Sequence, residues 1–337
     1  MATLKDIADA TGYSVALVSR ALGERTAHLV GEEARMAVRQ AAERLSYQPN
    51  RMASFMKRGL GPSLGFFLPL YNPELVQPLL RGLTEEANHE GFAYNLSFDI
   101  SGESLLEFLT QTVRSKSVGI VTYLPADVNR SPIPPLLKRM TRQGTSVVVI
   151  NSPLPPGIHL PHLDIDNVLG GRIAAEHLIS TGCVRLFVEG SAISYQIGSR
   201  IRSFQGTADA AGVPCCHIHF GSKDSPSYLA PLPGFLDELV RGPHPAGLLT
   251  NDNHARLILN ELTRLGKEKM LGHEIRLIGF NNQPFCQYTH PRLTTITSPM
   301  QELGTAAAHL LFNQILGGDR PVDLTLLQPR LVLRETA

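Results

Sequence analysis

The stretch TLKDIADATGYSVALVSRAL, Thr3 to Leu22, decides how this chain is read. Thr3 and Asp6 are spaced as a capping pair that opens a helix, with Leu4, Ile7 and Ala8 as its buried stripe. Gly12 supplies a turn, and Ser14 is placed to cap a second helix whose inward residues are Val18 and Leu22. Further on, EEARMAVRQAAERL puts Glu32 and Glu33 at the positive end of a third helix, with Val38, Ala42 and Leu45 at core spacing. Three short helices around one small core, the first two joined by a tight turn, make a helix-turn-helix.

In such a unit the second helix enters the major groove and its first residues meet base edges. Val15 and Ala16 can neither donate nor accept a hydrogen bond, so contact with thymine methyl groups is the readout left to them. Arg20 can pair with guanine through two bonds, while Ser14 and Ser19 suit phosphate contacts that fix register. Charge agrees with a polyanionic partner: residues 1 to 60 hold nine Lys and Arg against six Asp and Glu, leaving 22 against 24 for the rest.

The 337 residues, 43% of them hydrophobic, suffice for two or three domains. With no apolar run of membrane length and no secretory layout in MATLKD, the chain is expected to be cytoplasmic and without a membrane partner. Cys183, Cys215, Cys216 and Cys286 lack zinc-site spacing and are expected to be buried free thiols. No dinucleotide or phosphate-loop motif occurs, His89, His177 and His290 sit in no metalloprotease pattern, and no Ser lies in G-x-S-x-G. No cofactor, no metal and no enzymatic activity are expected.

After Tyr47 comes QPNRMASFMKRG, where Pro49 ends the third helix and Asn50 can cap a short fourth one. Here the chain resembles the LacI/GalR family of bacterial transcription repressors. The likeness rests on TLKDIADATGYS, VSRAL, ERLSYQPNRMA, DNVLGGRIAAEHL, IRLIGFNN and PRLTTIT, which span the chain in the family's order. The resemblance implies a hinge helix that pairs with its copy in the minor groove, with Met56 wedged between bases, Ala53 allowing close approach and Lys57 near phosphate. Thr3, Tyr47 and Asn50 complete the expected DNA-facing set. The loop ALGERTAHL is longer than is usual in the family, and Gly31 stands where Ser or Thr commonly caps the third helix.

From about Leu60, short branched-rich runs such as SLGFFLPL, TSVVVIN and IRLIGF alternate with helical stretches, as strands of parallel sheets do. The expected fold class is an N-terminal all-α helix-turn-helix domain with a hinge helix, followed by a two-lobed α/β effector domain of parallel sheets resembling a periplasmic binding protein. The boundaries are read as 1–48, 49–60 and 61–337. The first lobe takes about 61–161 and 292–320, the second about 162–291 and 321–337, with crossings near His162, Arg292 and Pro321.

Ligands of open α/β sheets bind beyond the carboxyl ends of the strands. The candidates there are Leu70 to Val76, Asn151, Arg200, Asn251, Asp252, Phe280 and Asn281. By resemblance Arg200, with Arg202 a near alternative, clamps the effector, and Asp252 and Asn281 are contacts. Asn151 and Asn281 stand where sugar-binding members commonly carry Asp, and Leu75 and Val76 replace an aromatic pair. Two fewer carboxylates around a retained arginine favour an anionic effector, a sugar acid or sugar phosphate, with a neutral sugar next. The resemblance implies a dimer on a pseudo-palindromic operator, and the ending RLVLRETA has no heptads for a tetramer. Induction and corepression both remain open, and a sensor without DNA function is the alternative.

Overall fold

The computed structural model describes residues 2–23, 26–47, 61–70, 73–128, 132–221, 225–316 and 324–337. In the small unit, which ends at Pro62, helix α1 (Leu4–Thr11) begins as its sequence dictates. The Asp6 amide donates to Thr3 Oγ1 at 3.3 Å and the Thr3 amide to Asp6 Oδ2 at 2.7 Å, satisfying two end groups reciprocally. The bonds that the Thr3 amide and hydroxyl donate to Oδ2 hold the exposed Asp6 carboxyl below its ordinary range. Gly12 ends α1 with φ +72°, a conformation that costs a glycine little. Thr3→Ala is expected to cost about 1 kcal/mol, read as faster hydrogen exchange of the α1 amides.

Ser14 caps α2 (Val15–Leu22), its Oγ accepting from the Leu17 amide. Helix α3 (Glu32–Arg44) starts at Gly31 without a side-chain cap, its first turn carrying Glu32 and Glu33. Ile7, Ala8, Val18, Ala21, Val38, Ala41 and Ala42 form the core, bordered by Leu4, Leu17, Leu22, Val30 and Tyr47. Leu4 and Leu22 are thus only half-buried, and Leu45, expected inside, is exposed. It follows the last turn of α3, where Ser46 takes φ +47° and turns the chain away.

The large unit, from Ser63 onward, holds two six-stranded sheets. In the first, β1 (Gly61–Leu68), β2 (Ala93–Phe98), β3 (Ser117–Thr122), β4 (Ser146–Ile150), β5 (His162–Ile165) and β11 (Leu324–Leu327) lie in the order 11-5-4-3-1-2. In the second, β6 (Arg185–Glu189), β7 (Cys215–Ile218), β8 (Ala246–Leu249), β9 (Ile275–Asn281), β10 (Thr294–Thr297) and β12 (Leu331–Val332) lie in the order 12-10-9-8-6-7. Every described pairing is parallel except that of β10 with β12.

The chain leaves the first sheet after Ile165, returns after Thr297 and crosses again between Leu327 and Leu331. Each crossing lies later than expected from sequence, because β5, β10 and β11 are short strands that finish a sheet before the chain departs. The segments expected to start the next lobe are those strands.

Helices cover both sheets: α4 (Pro73–His89), α5 (Gly102–Ser115), α6 (Ile133–Arg142) and α11 (Met300–Leu316) with the first, and α7 (Asn167–Ser180), α8 (Tyr195–Ala210), α9 (Leu232–Arg241) and α10 (Asp252–Arg264) with the second. α7 and α8 pack backbone against backbone. A Cβ at Gly171 would collide with the Arg200 carbonyl, so only glycine lets the two backbones meet there.

The last residues are sewn into the second sheet. Thr336 is fully buried, its Oγ1 accepting from the Thr294 amide and donating to the Leu277 carbonyl, while the Glu335 amide donates to Arg292. Cys183 and Cys286 are buried thiols as expected, but Cys215 is half-buried and Cys216 exposed, since β7 is an edge strand.

Candidate functional site

On the small unit, Val15, Ala16, Ser19 and Arg20 lie exposed on α2, opposite the face that packs Val18 and Ala21. Arg20 makes no ion pair among the described residues. Thr26 Oγ1 holds its carbonyl at 2.8 Å, which shapes the loop that follows. Ser14 Oγ already accepts from Leu17, so its proton is free to donate outward. Thr3 is different: its hydroxyl both accepts from Asp6 and donates to Asp6 Oδ2 at 2.9 Å, which makes it a cap first. Tyr47 is half-buried against the helical core. Asn50, Ala53, Met56 and Lys57 lie outside the described residues.

In the large unit the strand ends gather most of the expected residues. Leu75 on α4 and Asn281 at the end of β9 line one cavity of about 960 Å³, with Phe285, Ser298 and Arg330. Asn281 takes φ +114° and its Oδ1 accepts from Ser298 Oγ at 2.8 Å. Val76 corrects the sequence reading: one residue beyond Leu75 it turns to the other side of α4 and is buried in the core.

Asn151 follows β4 with φ +50°, its carbonyl taken by Gln196 Nε2 and its buried Oδ1 without a partner. Gln196 and Arg200 are one turn apart on α8, so Asn151 and Arg200 share a neighbourhood.

Arg200 is half-buried, its Nε fully covered and its guanidinium 3.2 Å from the centre of the Phe280 ring. Nη2 donates to Asn167 Oδ1 at 2.9 Å, and Nε has no partner. Among the described residues no carboxylate lies within ion-pair distance of it. Burial pulls its pKa down to about 9, with Asp252 and Glu189 acting the other way. Phe280 is fully buried and serves as the floor of that arginine. Arg202, the near alternative, reaches Ser199 on its own helix from an exposed position.

Two expected contacts are spent on structure. Asn251 caps α10, Oδ1 accepting from the His254 amide at 3.0 Å. Asp252 is fully buried, accepting from Thr295 Oγ1 at 2.6 Å and from the Gln283 amide at 2.8 Å. It braces β8 against β9 and β10 rather than facing a cleft, and burial raises its pKa despite those bonds.

Several polar residues at the same strand ends were not singled out from sequence. Glu189 ends β6, buried, with Oε2 accepting from Thr250 Oγ1 at 2.7 Å and 2.8 Å from His254 Nδ1. Burial opposes its ionisation, but the bonds from His254 and Thr250 outweigh it and hold the carboxyl below its ordinary range. His254 Nε2 lies 2.8 Å from the Tyr228 hydroxyl. The available signal was Glu189 itself, an acid closing the apolar run CVRLFVEG.

Asp164 on β5 is the other. Burial pushes its pKa up to about 6, against bonds from the Ile165 amide and the Tyr195 side chain. A carboxyl whose folded pKa exceeds its unfolded one stabilises the fold below the unfolded value, and that contribution is lost as pH rises through about 6. Asp164→Asn should therefore be more stable than the parent near pH 8, and its advantage should shrink as pH falls to 5. Urea midpoints across that range check it.

The comparisons with known proteins agree with both units. Residues 3–50 match the model for bacterial regulatory proteins of the lacI family, and residues 175–337 the periplasmic binding protein-like domain. The ribose operon repressor of Bacillus subtilis (strain 168) is 31% identical over 324 residues, 94% of this chain and 92% of that one. This chain belongs to the lacI family of bacterial regulatory proteins. The regulator GalR of Escherichia coli (strain K12) is 28% identical over 346 residues, covering 100% of this family member and 96% of GalR.

Two solved structures share the fold of this lacI-family chain. One is a CelR–cellobiose complex, at 22% identity, TM-score 0.67 and full coverage of both chains. The other is a lac repressor dimer bound to operator and the anti-inducer ONPF, at 20% identity and TM-score 0.66, covering 99% and 98%. The chain is accordingly a DNA-binding transcriptional regulator; its relatives are regulators, not enzymes. No helix among the described residues is long and apolar enough to cross a membrane.

Proposed function

We propose that the chain is a repressor that grips a pseudo-palindromic operator as a homodimer and answers to a small carbohydrate-type effector with an acidic group, a sugar acid or sugar phosphate. Arg200 carries the effector class. A half-buried guanidinium bonded to one neutral amide, with its Nε covered and unpartnered, is a donor set awaiting an anion. The unpartnered Asn151 Oδ1, on the residue whose carbonyl meets Gln196 one turn of α8 from Arg200, suits a hydroxyl of the same ligand.

On this reading residues 1–48 bind DNA, 49–60 form the hinge with Ala53, Met56 and Lys57, and 61–337 bind the effector and pair. Val15 and Ala16 touch thymine methyls, Arg20 pairs with guanine, and Ser14 and Ser19 hold phosphates. Leu75, Asn151, Arg200 and Asn281 receive the effector, which acts only through its different affinity for the DNA-competent and DNA-incompetent states.

A neutral sugar is the second reading, favoured by the 31% identity to a ribose operon repressor. Fluorescence anisotropy on DNA flanking the chain's own gene, at two salt concentrations, tests all of this. Specific binding weakened by gluconate or ribose 5-phosphate supports the first reading. Weakening only by ribose or cellobiose selects the second. Binding no better than the salt-sensitive background overturns the operator assignment.

A further inference from the structure

We propose that Glu189 and His254 are positioning residues that hold the Tyr228 hydroxyl as a hydrogen-bond acceptor at the ligand-facing end of the second sheet. The effector must then present a hydroxyl donor there. The inference rests on the effector reading of this cleft and adds a second recognition point to it.

Glu189 closes β6 and Thr250 follows β8, both at carboxyl ends of parallel strands, where ligands of such sheets bind. Thr250 and His254 Nδ1 converge on the same oxygen, Glu189 Oε2, at 2.7 and 2.8 Å. An ionised carboxylate only accepts, so in the neutral imidazole of this relay Nδ1 carries the one proton and Nε2 is left with a lone pair. The Tyr228 hydroxyl, 2.8 Å from Nε2, must donate to it. Its proton is thereby committed, and its remaining lone pairs can only accept.

Asn251 Nδ2 also lies 2.9 Å from Nδ1, but an amide NH₂ is a donor and Nδ1 already points its proton at Glu189; Asn251 therefore acts here as the α10 cap alone. The Phe220 ring stands edge-on to the His254 ring, with centres 5.5 Å apart, and fixes its plane. Arg200 offers donors and positive charge, and Tyr228 offers an acceptor. Such a pair suits a molecule with one acidic group and free hydroxyls, a polyhydroxy acid. A second acidic group at Tyr228 would face oxygen lone pairs with the Glu189 carboxylate behind them, so diacids and bisphosphates are rejected.

Two measurements test the relay. In the full-length protein, nitrogen-15 spectra of the imidazole, assigned by difference with His254→Gln, should show the Nδ1–H form. In Glu189→Gln the amide can donate to Nδ1, and the spectrum should switch to the Nε2–H form. An Nε2–H or a doubly protonated form in the parent, or no switch in the variant, overturns the proposal.

Calorimetry with gluconate, ribose 5-phosphate and ribose supplies the second. Tyr228→Phe and Glu189→Gln should each weaken the bound probe roughly ten-fold, and the double variant no further, because both remove one bond. Parent-like affinity in Tyr228→Phe, or losses that multiply, overturns the relay. If ribose alone binds, the acidic-effector reading fails while the same variants still judge the relay on ribose. Binding of none of the three overturns both.

Discussion

Replacing Arg200 by Met should abolish the response to the effector while leaving operator binding intact and raising the thermal midpoint. The three outcomes separate a ligand contact from a structural prop. Loss of a charged hydrogen bond to an anion amounts to about 1.5–3 kcal/mol, or roughly 10- to 150-fold in affinity. The gain in stability follows from the cost of the buried cation. Its folded pKa, about 9, lies below the ordinary 12.5, so the protonated form is disfavoured by folding. That penalty is fully present below pH 9 and disappears as pH rises toward the unfolded value. Methionine keeps the stem on Phe280 without the charge, as in other replacements of buried ions by apolar side chains. A lower midpoint with an intact response in anisotropy would mean that Arg200 props the fold.

Gly171→Val should be strongly destabilising to the large unit. The new side chain would meet the Arg200 carbonyl and the Phe204 amide, backbone atoms of α8 that cannot rotate away. Overpacking of this kind costs about 3 kcal/mol, and it would also lift Arg200 off Phe280, so the effector response should fall with stability. Gly206, on the same helix, is the control: nothing lies within 4 Å of its would-be Cβ, and it is exposed. Gly206→Ala should stabilise by about 0.5–1 kcal/mol. Urea midpoints moving in opposite directions for the two variants check the pair.

The small unit was the most legible part of the sequence because its signals are local. Thr3 with Asp6, Gly12 and Ser14 each act within four residues, and the caps form as their spacing demands. The parallel sheets were legible for a similar reason: strands covered on both faces read as continuous apolar runs. The crossings were misplaced because β5, β10 and β11 are four-residue strands whose sheet depends on distant partners, not on their own composition.

At the candidate site, residue type singles out Arg200, Asn151, Leu75 and Asn281 as candidates but cannot say which way each polar group points. Asp252 and Asn251 are adjacent polar residues at a strand end, indistinguishable in sequence from ligand contacts. One braces two strands and the other caps a helix. Glu189, His254 and Tyr228 were overlooked because 26 and 65 residues separate the bonded pairs. No local pattern joins them.

The anchoring of Thr336 also sets the timing of the protein's birth. β6 cannot sit in its finished sheet until a residue about 150 positions later has been made, which at ~5–20 residues per second is roughly eight to thirty seconds of translation. The helix-turn-helix core needs nothing beyond Tyr47. A DNA-reading head therefore folds on the ribosome well before the lobe that would govern it, and a nascent chain is exposed meanwhile as an unfinished parallel sheet.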